Sequence, residues 1–425
     1  MNKKLKAEMY DKVNFMCRCY MDRIARFRLD YDFVPDEAAF KKALTSLYEA
    51  SPVFHSRFVN NPINPYWLVS SYKIEDSLTF EKTDSIESSA YDFLIKGIDI
   101  KENTQMKITV FHNEGKCALC FRWNHMLLDG GGFKQFARDL FRAYGEIIRD
   151  GSCKGNFLTG SRAYAEVYAD FDKAKKKKAK LQILGNSAHE KKTLPFTKIN
   201  GKEKNILIFR KIDADIFSSA AAKGKKLGAT ANDVLVAAYI RSAYKLIGCD
   251  KNEKMCISCA VDLRRHMKNP DRIGYTNHTT FMPCTVSCTG DTMADTVKAV
   301  AECNSENKKD PYLGLHGLPL LNFAYKAMAY IQAEPTVRLF YANANLALSN
   351  VGKVDKKLFA LDGNEPTDAF VAGGAKVKPC AAVNALTLDS RLTLSMTIQG
   401  TDEDKAMVER FFEGMENELK ELVNA

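Results

Sequence analysis

Leu29, Tyr31 and Phe33 alternate with polar neighbours, and Pro35-Asp36 then opens a stretch in which Phe40, Leu44, Leu47 and Tyr48 recur at helical spacing. A strand followed by an amphipathic helix is predicted. Asn60-Asn61-Pro62 reads as a turn before a strand over 67–72. Residues 105–112 pair through Asn113-Glu114-Gly115 with 116–124 as a hairpin. Directly after it, Phe133, Phe136, Ala137, Leu140, Phe141, Tyr144, Ile147 and Ile148 hold a helical face up to Asp150-Gly151. A polar helix over about 162–183 ends in a lysine run, and Gly185-Asn186 through Pro195 has the composition of a linker.

Beyond the linker the pattern predicts a strand at 205–211, helices at 213–226 and 231–247, strands at 255–262 and 279–287, and helices at 291–308 and 318–332. Strands at 344–350, 367–373, 381–388 and 391–398 follow, then a terminal amphipathic helix from about 402. Strands and helices interleave in both halves, which argues for an α/β class. At 425 residues the chain exceeds the size at which one core stops growing, so two lobes are expected, 1–185 and 195–425, each with its own sheet.

An apolar share of 46% beside 27% charged residues excludes disordered and fibrous classes. The net charge of +10 is spread along the chain without zinc-finger spacing or an RNP-like aromatic motif, so anionic ligands fit better than nucleic acid. Lys173, Lys175, Lys176, Lys177, Lys178 and Lys180 form the dense basic run, which reads as a solvated helix face or a phosphate dock. Glu8, Asp11 and Lys12 interrupt any apolar signal segment, and no apolar run is long enough to span a bilayer. A cytoplasmic protein is expected, and its 12 cysteines are expected as thiols. Cys117/Cys120 and Cys256/Cys259 have metal-like spacing, but each pair lies in a strand pattern that sends positions i and i+3 to opposite faces. No metal site is expected.

The chemistry concentrates in Asn124-His125-Met126-Leu127-Leu128-Asp129-Gly130-Gly131-Gly132, between the hairpin's second strand and the long helix. A histidine at a strand end can project into a cleft and take a proton from an alcohol, thiol or amine near neutral pH. Asp129, in the same tight turn, suits a salt bridge that fixes the loop. A histidine alone in a turn is most often structural, so the further motifs decide.

His125-x-x-x-Asp129-Gly130 resembles the H-x-x-x-D-G signature of the condensation-domain and CoA-dependent acyltransferase superfamily, which includes chloramphenicol acetyltransferases, wax ester synthases and peptide-synthetase condensation domains. In family order, Ser51-Pro52-Val53-Phe54 through Arg57-Phe58, Asn232-Asp233, Asp262-Leu263-Arg264-Arg265, Gly274 with Asn277 and Pro283, and Ser349-Asn350-Val351-Gly352 resemble further conserved stretches. Asn124 replaces the first histidine of the usual pair, and no D-F-G-W-G segment of the plant-type enzymes is present. Taken singly, Asn232-Asp233 is accounted for by helix capping and Ser349 to Gly352 by a turn.

The resemblance implies two chloramphenicol acetyltransferase-like lobes, each a mixed sheet with helices, meeting at an active-site tunnel. His125 is implied as the general base that lets an alcohol or amine attack a thioester directly, with acyl-CoA as co-substrate and no permanently bound cofactor. Asp129 is implied to hold the loop through Arg264 or, second, Arg57, with Gly130 and Asn124 supporting it and Ser349 or Asn350 donating to the oxyanion. A small-molecule acceptor and a stand-alone enzyme are implied. An acyl carrier protein as donor and an inert binding homologue are the alternatives.

Overall fold

A computed structural model describes residues 3–184, 190–341 and 343–425. Gly185 and Asn186, at the start of the expected linker, lie outside the described residues. The first half forms β1 (Lys4–Lys6), α1 (Met9–Met16), β2 (Ile24–Tyr31), α2 (Glu37–Ala50), β3 (Ser56–Val59), β4 (Tyr66–Val69), β5 (Leu78–Lys82), α3 (Ile86–Leu94), β6 (Met106–Asn113), β7 (Lys116–Asn124), α4 (Gly130–Asp150) and α5 (Lys173–Lys180). The second forms β8 (Lys204–Ile212), α6 (Ala214–Lys226), α7 (Ala231–Ile247), β9 (Met255–Asp262), β10 (Thr279–Val286), α8 (Met293–Lys309), α9 (Leu318–Ala327), α10 (Tyr330–Phe340), β11 (Leu346–Val354), β12 (Asp368–Ala372), β13 (Lys376–Val377), β14 (Ala381–Leu388), β15 (Arg391–Gly400) and α11 (Asp402–Asn424).

These elements build the expected α/β architecture in two lobes. One sheet has the order β12-β2-β7-β6-β5, with β5 parallel to β6 and the other pairs antiparallel. The other runs β10-β9-β11-β14-β15-β13, with β8 paired to β15, and mixes parallel and antiparallel neighbours. A small third sheet, β1-β4-β3, lies beside the first. The β6–β7 hairpin forms because Glu114 and Gly115 both take positive φ, 47° and 79°, the twist that a two-residue turn needs.

The periodic stripe of α4 buries its aromatic residues on the first sheet. The Phe133 ring stacks on Trp123 at 4.5 Å and lies 4.7 Å from Phe27. Full burial of such a side chain contributes about 2–3 kcal/mol. Asp129 caps the helix at its start, and Gly151, with φ 72°, ends it. In the second lobe α7 and α11 pack together over the seven-stranded sheet, around Tyr239, Phe411 and Met415.

Two predicted helices differ from the structure. The segment expected as one helix over 162–183 is a 3₁₀ turn at Tyr164–Tyr168 followed by α5, because Tyr164, Val167, Tyr168 and Phe171 turn into the first core and Asp172 begins a new helix by capping Lys175. The helix expected over 318–332 is interrupted at Met328 and Ala329, both extended, and resumes as α10. The lobes are laced together by the second half of the chain. β12 joins the edge of the first sheet beside β2, pairing Ala369 with Leu29 and Val371 with Phe27, and Val377 N–H donates to the Tyr20 carbonyl.

Candidate active site

Where β7 ends, the chain turns sharply. The Leu127 N–H donates to the Asn124 carbonyl at 2.8 Å, and the Trp123 indole donates to the Leu128 carbonyl at 2.9 Å. Asn124 is fully buried: its amide donates to Gln105 Oε1 at 3.1 Å and accepts from Met126 N–H at 3.2 Å. The residue in the first-histidine position is therefore part of the turn's frame. His125, next in sequence, is half-buried, its own N–H held by the Arg23 carbonyl at 2.8 Å.

Asp129 does not face His125. Its Oδ1 accepts from Gly132 N–H at 2.7 Å, and Oδ2 accepts from Arg264 Nη1 at 3.0 Å, His278 N–H at 2.6 Å and Thr279 Oγ1 at 3.0 Å. Burial alone would raise this carboxyl, but the Arg264 charge and these hydrogen bonds hold it well below the usual carboxylate range. Arg264 also reaches Asp262 Oδ1 at 3.1 Å and the Thr276 carbonyl at 2.8 Å. Arg57 is elsewhere, lining a cavity of about 260 Å³ with Lys101 and Asn103. The glycines let the arginine approach: a Cβ on Gly131 would meet Arg264 Nη1 at 2.7 Å, and one on Gly132 would meet the Thr276 carbonyl at 2.5 Å. One on Gly130 would make only ordinary contact with Val351, at 3.5 Å.

The segment before β10 closes the site from the second half. Asn277 Nδ2 lies 2.8 Å from His125 Nδ1 and 3.0 Å from its carbonyl oxygen, while Asn277 Oδ1 accepts from Thr279 N–H at 2.9 Å. The Thr279 bond fixes which end of the amide faces the histidine. Two neutral forms of the ring follow. With the proton on Nε2, Nδ1 accepts from Asn277; with the proton on Nδ1, the ring donates to its own carbonyl and Nε2 presents a lone pair. Burial lowers the pKa of His125 from its ordinary value; Asp129 and the ring's bond to its own backbone oppose the shift, and Lys376 adds to it. Burial thus favours the neutral ring.

Of the β11 residues, Val351 approaches Gly130, and its carbonyl accepts from Lys134 Nζ at 2.6 Å. Asn350 is occupied: its amide donates to Asn232 Oδ1 at 3.2 Å and accepts from Gly352 N–H at 2.8 Å. Ser349 is half-buried, and its hydroxyl has no hydrogen-bond partner among the described residues. Asn232 and Asp233 divide their work. Asp233 closes a capping box with Thr230, and Asn232 holds Asn350. Sequence reasoning placed Asn277 only in a motif and missed its contact with His125; it also missed Thr279. Among the described residues no group of three or more His, Cys, Asp or Glu side chains could hold a metal ion.

Comparison with solved structures gives the fold. The first condensation domain of the calcium-dependent antibiotic synthetase, in complex with a substrate analogue, superposes with a TM-score of 0.71 at 13% identity over 100% of this chain and 96% of that one. The chain has the condensation-domain fold. That fold also covers trichothecene 15-O-acetyltransferase from Fusarium sporotrichioides, with a TM-score of 0.67 at 13% identity over 98% of this chain and 96% of that one. It covers, too, the epimerization domain of the third module of tyrocidine synthetase B, with a TM-score of 0.65 at 12% identity over 100% of this chain and 98% of that one. A condensation domain, an acetyltransferase and an epimerization domain thus share one architecture, which leaves the chemistry of this chain to its own site. No protein-family model and no curated protein sequence matches the chain.

Proposed function

We propose that the chain is an acyltransferase that moves an acyl group from a thioester, acyl-CoA, to an alcohol or amine by direct attack. The observation that carries this reading is His125: a half-buried imidazole, gripped at its backbone N–H by Arg23 and at its ring and carbonyl by Asn277, in surroundings that favour its neutral form. Nε2 takes the proton from the acceptor as its oxygen or nitrogen bonds to the thioester carbonyl; the tetrahedral intermediate collapses, the C–S bond breaks and the thiolate takes the proton back. The thioester is already activated, so positioning and one base are sufficient. Ser349, with its free hydroxyl, is the oxyanion donor, worth about 3 kcal/mol in comparable sites. Asp129 and Arg264 hold the turn.

In this reading the lobes, 1–185 and 195–425, form a tunnel through which donor and acceptor reach His125 from opposite sides, in the cytoplasm and with no resident cofactor. Among the described residues no helix is long and apolar enough to cross a membrane. Base action requires the Nδ1–H form of the ring, with the second N–H of Asn277 swung clear of Nδ1.

The 2.8 Å approach of Asn277 to Nδ1 favours a second reading, in which Nε2 keeps its proton and donates to the oxyanion. The test is thiol release by the purified protein from acetyl- and longer acyl-CoA across alcohol and amine acceptors, then from acyl carrier protein, over a range of pH. A base loses activity as pH falls through the pKa of His125, whereas a donor does not. Release from the carrier alone moves the donor to a carrier protein, and no release from either, with His125→Ala unchanged, leaves an inert homologue.

A further inference from the structure

Near the His125 turn the structure holds two cations, Arg23 and Lys376, that form no ion pair among the described residues. Arg23 has φ 61°, a left-handed conformation that a bulky residue keeps only when its surroundings impose it. They do so on both flanks. Its carbonyl accepts from His125, and the neighbouring Asp22 Oδ1 accepts from Ile24 N–H at 3.0 Å and Ala375 N–H at 2.8 Å. The side chain is thereby aimed along the His125 turn, with Nη1 3.8 Å from Met126 Sδ and the guanidinium over the Phe15 ring. Its Nε is buried without a partner.

Lys376, on β13, is brought beside the segment that carries Arg23 by its backbone pairing with Met21, both charges act on Cys17, and among the described residues its Nζ has one polar contact, Met21 Sδ at 3.4 Å. The neighbouring acids are already taken. Asp22 pairs with Arg26, and Glu334 pairs with both Arg18 and Arg338. Besides Asp22, the groups that act on the two cations are Cys17 and Cys380, Tyr330 and the guanidinium of Arg18, none of them a carboxylate.

We infer that Arg23 and Lys376 bind a carboxylate carried by one of the two reactants, at a position next to the groups that react at His125. An unpaired, half-buried cation is costly, and the planar fork of arginine with the point charge of lysine suits a carboxylate. Burial pulls both cations to lower pKa, whereas Arg28, Arg264 and Lys378, which have acid partners, are raised. The phosphates of coenzyme A lie at the far end of the pantetheine arm from the thioester, so the carboxylate belongs to an acidic acceptor, such as a hydroxy or amino acid, or to a dicarboxylic acyl group. The inference rests on the proposed acyl transfer for the identity of the reactants, and on the two cations alone for the binding of the carboxylate.

Binding is tested apart from catalysis by calorimetric titration of lactate, 3-hydroxybutyrate and succinate against lactamide, 3-hydroxybutyramide and succinamide. The expected result is that the wild type binds at least one carboxylate and not its amide, and that Arg23→Gln and Lys376→Met each weaken this at least tenfold. No binding by the wild type, equal binding of acid and amide, or unchanged affinity in both variants overturns the inference. Because Arg23→Gln loses packing on Phe15, Arg23→Lys is the second variant at that site, and Lys376→Met, which removes an unbalanced charge, is expected to melt no lower than the wild type.

The source is read from kcat/KM for each acid and amide acceptor with acetyl-CoA, and for succinyl-CoA against acetyl-CoA with a neutral alcohol. A tenfold preference for the acid in one series, shrinking in both variants, names the acceptor or the acyl group. An active enzyme with no preference in either series overturns the inference. Thioester consumption that His125→Ala leaves unchanged overturns the acyl-transfer reading instead, while the titration still decides the carboxylate site.

Discussion

Asn277 holds His125 from 152 positions away, its amide nitrogen 2.8 Å from Nδ1 and 3.0 Å from the carbonyl oxygen. A donor aimed at Nδ1 disfavours a proton there, so losing it should raise the pKa of the ring, and replacing it with a carboxylate should raise it further. For a base, the acid limb of kcat/KM should move to higher pH in the order wild type, Asn277→Ala, Asn277→Asp. Identical limbs in the three proteins would show that Asn277 does not govern the ring.

His125→Ala should lower turnover by about 10²–10⁴-fold, the range for a lost general base. Among the described residues the ring has one side-chain hydrogen bond, to Asn277, so thermal melting should barely move. Retained turnover refutes the assignment.

Asp129 should act on stability. Removing it leaves Arg264 with Asp262 and the Thr276 carbonyl but orphans the N–H groups of Gly132 and His278, so Asp129→Ala should cost about 3 kcal/mol in denaturant unfolding. Its folded pKa is depressed, so its contribution is fully present above the unfolded value near about 4 and is lost as pH falls toward the folded one. The stability gap between wild type and Asp129→Asn should be constant from neutral pH to about 5 and should narrow below about 4. A gap that widens on acidification contradicts the ion pair.

The three glycines should separate. Gly132→Ala drives a methyl into the Thr276 carbonyl and should cost about 2–3 kcal/mol with loss of activity. Gly130→Ala, at an open helix start, should leave stability unchanged or raise it by up to about 1 kcal/mol. Equal damage from both would mean that the motif glycine serves a ligand and not the packing.

The α5 lysines form no ion pair among the described residues, and apart from Lys175, which lies over the Phe171 ring, this leaves their charge open to a phosphate-bearing donor. Replacing Lys175, Lys176, Lys177 and Lys178 by Gln should raise the acyl-CoA KM with little change in kcat, and the effect should fade at high salt. An unchanged KM at low salt makes the run a solvated helix face.

The hairpin, the α4 stripe and the turn between them were legible because local periodicity and turn chemistry agree there. α1 was not, since all eight of its residues are buried, Asp11, Lys12 and Asn14 among them, and no polar face marks it. The same limit hid half of the site. Arg264 stood out beside a strand end, but the contacts of Asn277 and Arg23 with the His125 turn, and the placing of Lys376 beside Met21, come from segments far apart in sequence, one of them a two-residue strand without any pattern. The broken helix over 162–183 failed for a related reason: Tyr164, Val167 and Tyr168 answer to the core they meet and not to a continuous helical face.

The strand that completes the first sheet arrives late in synthesis. Until residues 368–372 leave the ribosome, β2 has a bare edge, and the Thr367 hydroxyl that donates to the Asp30 carbonyl comes from 337 positions downstream. A nascent first half must therefore wait, aggregation-prone, for most of the chain, and contacts of such long range should make refolding slow and expression yields sensitive to growth temperature.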